Sequence, residues 1–184
     1  MAFEYGFYNS VDHDRLYENH QLSEIFNGII LDGVFKYYPI NGSNANNDKY
    51  RITQADGMSI YVGTGMAWFK STWTLNTEKI RLTLSGSDQN KDRYDLVALE
   101  IRDARANSIS VIEGKPSSIP VKPTPISEEG LHQYPLAYIM VRAGATVITT
   151  DDIENMVGTE ATPYVKNIAE DIYNSSVNRL DVTE

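Results

Sequence analysis

Between Met58 and Ile112 apolar residues return at every second position, in one short run after another. That period belongs to β-strands with one buried face, and it limits the middle of the chain to an antiparallel sheet arrangement. In GMSIYV, Met58, Ile60 and Val62 share one face and Ser59 and Tyr61 the other. Gly63-Thr64-Gly65 then turns the chain, its glycines free to take positive φ. Met66, Trp68 and Lys70 next alternate against Ala67, Phe69 and Ser71, with Thr72 to Asn76 extending or bending that strand. Trp68, in register with Met66 and beside small Ala67, is expected to point inward. IRLTLS, RYDLVALEIRD and SISVIEG continue the pattern, and the spacer Ala104 to Asn107 makes a hairpin of the last two. LAYIMVRAG and ATVITTDDI close the β region.

The flanks differ. Leu22, Ile25, Phe26, Ile29 and Ile30 follow helical spacing within Ser10 to Leu31, with Asp12 or Ser10 as cap and Gly33 as stop. Past Gly158, TPYVKNIAEDIYNSSVNRLDV has a proline near its start and no internal glycine. Val165, Ile168 and Ile172, continued by Ser175 and Arg179, form a short heptad-like stripe there, expected to be an assembly interface. The fold expected is mainly β: an N-terminal helix, an antiparallel β-sandwich and a C-terminal helix. Residues 1–158 would form the docking domain and 159–184 the assembly helix. The core is expected to hold Leu22, Ile25, Phe26, Ile29, Trp68 and Leu96. Two connections stand out. Asn41 to Arg51 is polar and aperiodic, a surface loop or hairpin tip. GKPSSIPVKPTPISEEG holds four of the seven prolines and reads as an extended crossover.

Composition narrows function. The 184 residues contain no cysteine, which removes disulfides, thiolate metal sites and a cysteine nucleophile. A net charge of −9 opposes both a nucleic-acid footprint and a polybasic membrane contact. The opening residues lack the basic and apolar regions of a secretory signal, so synthesis in a cytoplasm is expected. His13, His20 and His132 have no zinc-site spacing, and VGTGMAW joins two strands rather than a strand and a helix, so it cannot cradle pyrophosphate. Asp151-Asp152 could meet calcium but lacks the EF-hand pattern. Neither that pair nor Glu128-Glu129 suggests the opposed acids of a glycosidase. No enzyme and no cofactor are expected.

Five phrases occur in order: Asn9-Ser10-Val11 with Asp14-Arg15-Leu16-Tyr17; Leu31-Asp32-Gly33-Val34; Gly65-Met66-Ala67-Trp68; Asp92 to Val97; and Pro135 to Ile139. Together they resemble the N-terminal domain of baseplate and receptor-binding-type tail proteins of phages infecting Gram-positive bacteria, the upper-baseplate proteins of lactococcal-type siphophages above all. The resemblance implies a helix and a β-sandwich that dock onto the tail within the virion, beside other baseplate and tail proteins. It implies a homo-oligomer, a trimer or part of a six-fold ring. Asp14-Arg15 and Asp92-Arg93 then serve structure. Because the chain stops at Glu184, soon after one helix, an adaptor role is expected over direct receptor binding. The other readings are a carbohydrate-binding module for wall polysaccharide, using exposed aromatics, and a wall-polysaccharide hydrolase.

Overall fold

A computed structural model describes residue 23, residues 25–102 and residues 107–165 of the chain. They form three antiparallel sheets. The first joins β1 (Gly33–Val34), β4 (Gly65–Phe69) and β5 (Thr72–Asn76) in the order β1-β4-β5. The second joins β2 (Ile52–Gln54), β3 (Ser59–Val62) and β6 (Ile80–Thr83). The third and largest runs β11-β10-β7-β8, from β7 (Arg93–Arg102), β8 (Ser108–Ile112), β10 (Leu131–Val141) and β11 (Ile153–Asn155), with short β9 (Ser127–Glu128) also paired to β10. The molecule is mainly β, with sandwich-like layering.

One core serves all three sheets. Val34, Ala67 and Phe69 come to it from the first, Ile60 and Val62 from the second, and Val97, Leu99, Ile101, Ile139 and Val141 from the third. The reverse face of β7 and β10 carries a smaller cluster of Leu96, Ala98 and Tyr138, with Tyr94, Ile112 and Met156 packed against it. Strict alternation along β7 produces this division, since neighbouring strand residues point to opposite faces. Leu96 is fully buried, on that reverse side. Proline interrupts β10: Pro135 has no amide to give the ladder, and the register with β7 shifts between Pro135 and Ala137. The Pro135 carbonyl accepts from Thr162 Oγ1 at 2.7 Å instead.

Several expectations change. Met66 to Asn76, expected as one extended or bent strand, is a hairpin, turned at Lys70 and Ser71 with φ of 49° and 62°. Neither Gly63 nor Gly65 has positive φ. They are glycines because the 48–51 loop lies against them: a Cβ on Gly63 would sit 2.5 Å from Asp48 Cβ, and one on Gly65 2.7 Å from the Tyr50 nitrogen. The run ATVITTDDI is not one strand. Ile148 is a buried anchor, and a 3-10 turn at Thr150–Asp152 precedes β11.

The flanking helices are not supported. Residues 25–27 are helical and Gly28 and Ile29 turn, while the earlier part of that stretch, including Leu22, lies outside the described residues. Ile25, Phe26 and Ile29, expected in the core, are 44%, 45% and 48% exposed. Residues 159–165 are not helical, and they attach to the β domain rather than leaving it. Val34 N–H donates to the Pro163 carbonyl at 2.8 Å, and Val165 N–H donates to the Val34 carbonyl at 2.9 Å. Val165 is buried here, extended beside β1, so its side chain is not displayed on a helical stripe. Ile168 and Ile172 lie outside the described residues.

Candidate functional site

The β4–β5 hairpin carries the one pair of tryptophans in the chain, and the register sets them opposite each other: Trp68 faces Trp73, and Met66 faces Leu75. Directly opposed residues share a face. Ala67 and Phe69 point the other way, into the core, where Phe69 stacks on Tyr134 with ring centroids 3.8 Å apart. Met66 and Trp68 therefore lie on the outer face. Trp68 is buried, as expected, but outside the main core cluster, on the other face of β4: period-two spacing groups residues by face without saying which face is inward.

Trp68 is nonetheless only 6% exposed. Phe26 meets its ring edge-on, centroids 5.9 Å apart. Phe26 thus lies over an outer sheet face rather than in the core. The turn that supports the contact is held by side chains from the same stretch: Ser23 Oγ donates to the Ser71 carbonyl at 3.1 Å and Asn27 Nδ2 to Ser71 Oγ at 2.5 Å. Trp73 stays 61% exposed and Leu75 40%. The Trp68 indole Nε1, although buried, has no hydrogen-bond partner among the described residues. A buried donor left unmatched costs about 1–3 kcal/mol relative to a matched one. The outer face thus combines exposed apolar area at Trp73 and Leu75 with a buried, unmatched donor beneath Phe26.

The acids are engaged elsewhere. Glu100 lies on the reverse face of β7, where its carboxylate accepts Gln133 Nε2 at 2.8 Å, Arg102 Nη2 at 2.7 Å and Ser108 Oγ at 3.3 Å. Burial alone would raise its pKa, but the hydrogen bonds from Arg102 and Gln133 and the arginine charge outweigh that and hold it below the ordinary range. Asp152 follows the same balance: burial opposes ionisation, while Thr149 and Arg142 favour it more and lower its pKa. With Arg142 Nε at 2.8 Å and the Thr149 amide and hydroxyl at 3.0 and 2.7 Å, that carboxylate acts as a cap. Among the described residues no three His, Asp or Glu side chains gather as metal ligands would. His132 Nδ1 pairs with Ser127 Oγ at 2.9 Å, while His13 and His20 lie outside the described residues.

Asp92-Arg93 has a structural position. Arg93 is 2% exposed and grips Asp95 through two nitrogens at 2.9 and 3.2 Å, while donating to the carbonyls of Gly86 and Ser85 at 2.7 Å each. Asp92 accepts the Ala143 amide at 2.8 Å. Sequence reasoning missed Arg93–Asp95, although residues two apart on a strand share a face and opposite charges at that spacing were a readable signal. It also missed the apolar display of the proline-rich crossover, where Ile119 is 79% and Val121 75% exposed. No family model, curated protein or solved structure matches the chain.

Proposed function

We propose that this chain is a structural protein of a phage tail baseplate, of the adaptor or upper-baseplate type, which docks onto the tail and helps assemble the host-attachment apparatus of the virion. The observation that carries the reading is the outer face of β4 and β5: two tryptophans on one rung, with Trp73 and Leu75 exposed beside the buried Trp68. Surfaces of this composition favour protein contact, since aromatic residues concentrate in interface cores and an exposed large apolar patch calls for a partner. The phrases behind the resemblance add support, because four of the five contribute to β1, β4, β7 and β10. In this reading the β-sandwich is the docking domain, and the chain acts as a non-enzymatic member of an oligomer.

The test is composition of purified tail particles by mass spectrometry, with antibody labelling to locate the chain. Stoichiometric presence at the distal tail end is expected; absence from particles overturns the reading. A second reading rests on Trp73 alone, whose exposed ring could stack on a sugar. Retention of the chain on host wall polysaccharide, lost in Trp73→Ala, would favour a carbohydrate-binding module instead.

A further inference from the structure

The chain contains two Asn-Gly pairs, Asn27-Gly28 and Asn41-Gly42. In this dipeptide an asparagine can modify itself, because no side chain shields the nitrogen that follows it. Both asparagines and both glycines are exposed, so access to water treats the pairs alike. Their hydrogen bonds do not.

The first pair is held at both reacting atoms. Asn27 Nδ2 donates to Ser71 Oγ at 2.5 Å, and the Gly28 amide donates to the Ile25 carbonyl at 3.3 Å. Helical backbone at residues 25–27 fixes the torsion that would have to rotate. The second pair forms the centre of a tight turn between Ile40 and Ser43, with φ of 48° at Asn41 and 80° at Gly42. Such turns favour Asn-Gly because both central positions need positive φ. Ile40 and Ser43 close the turn with two backbone hydrogen bonds of 3.1 Å. Side chains add to its flanks only: the Ala45 amide donates to Ser43 Oγ, and Asn46 Nδ2 donates to the Ile40 carbonyl, each at 3.2 Å. Among the described residues the Gly42 amide has no acceptor, and a Cβ on Gly42 would meet nothing within 4 Å. Asn41 and Gly42 can therefore rearrange without breaking a bond that holds the loop.

We propose that Asn41-Gly42 is a self-modification site of the folded protein, while Asn27-Gly28 is protected until its turn opens. The Gly42 nitrogen attacks Asn41 Cγ and closes a cyclic imide. Its proton goes with Nδ2, which leaves as ammonia when the Cγ–Nδ2 bond breaks. Water then opens the ring at one carbonyl to give aspartate, or at the other to give isoaspartate. Nothing is oxidised or reduced. Either product adds a negative charge to a chain already at −9, and isoaspartate also lengthens the main chain of the turn by a methylene. The site thus records time spent folded, and it does so whether or not the baseplate reading holds.

The test incubates the full chain in mildly alkaline buffer, with and without urea. Conversion is read by peptide mass spectrometry and by methyl transfer from an isoaspartyl methyltransferase. In the native chain Asn41 should convert at least about tenfold faster than Asn27, the factor that breaking two ordinary hydrogen bonds first imposes. In urea, where both turns are open, the two rates should converge. Asn41→Gln should abolish methyl transfer to the native chain. Ser71→Gly removes the acceptor of Asn27 at a φ of 62°, which glycine accepts, and should raise the Asn27 rate toward that of Asn41. Near-UV circular dichroism verifies that each chain is folded. A folded wild type whose Asn41 stays unconverted overturns the proposal, as does native Asn27 converting as fast as Asn41.

Discussion

The two sides of the molecule handle polar groups differently. On the reverse face of β7, Glu100 is 5% exposed and three side chains from two strands and the strand's own end satisfy it. Gln133, which donates to it, also accepts the Ile126 amide at 2.9 Å, so the network secures the end of the crossover. On the outer face of β4, Trp68 is as deeply buried, yet its one donor is unmatched. Both sides are strand surfaces with buried polar atoms. On the first the charged group is matched by side chains from its neighbours; on the second the indole donor has no partner among the described residues.

Four substitutions sharpen that contrast. The largest effect belongs to Arg93→Leu, which leaves Asp95 buried without its ion partner and frees two carbonyls; it should cost about 3–5 kcal/mol in urea unfolding. Trp68→Ala should cost about 3 kcal/mol, at the low end for a tryptophan because its site is closed on the outside by Phe26 rather than by the core. Acid titration follows. Glu100 and Asp152 have folded pKa values below their ordinary ones, so the stability they add is present above that ordinary range and is lost as pH falls through the depressed values. Melting temperature should fall on acidification below about pH 4, and Glu100→Gln should flatten that decline. An unaltered acid limb would remove Glu100 from the account. Smallest is Trp73→Ala, directly opposite Trp68 on the same rung, which should move stability by less than about 0.5 kcal/mol. A loss as large as that of Trp68→Ala would mean that the two tryptophans belong to one enclosed core and that the contrast is false.

Much of the β framework was legible because alternation over four or more residues is a strong signal, as along β3 and β7. The two- and three-residue strands β1, β2, β9 and β11 were not, since so few residues hold no period. The sign of a face was also hidden. Met66 and Trp68 do share a side, but only the tertiary packing of Ala67 and Phe69 makes it the outer one. Helical spacing at Ile25, Phe26 and Ile29 conveyed local conformation and an apolar stripe, not its depth. Val165 misled in a different way: its spacing to Ile168 and Ile172 suggested a helix, while hydrogen bonds to a strand far away in the chain decide its conformation. Nothing local signals such a pairing.

That last pairing has a consequence for how the protein is made. Chains fold from the N-terminal side as they are synthesised, and β1 is complete long before Pro163 to Val165 exist. Until they arrive, the amide and carbonyl of Val34 have no strand to meet, and Gly33 has an empty slot where Val165 will later press so close that a Cβ would lie 2.5 Å from its nitrogen. Every other named strand pairing can already be in place, because β11 ends at Asn155. A ribosome stalled just before Pro163 would therefore release a nearly finished domain with one bare strand edge, the form most ready to pair with its neighbour instead of itself.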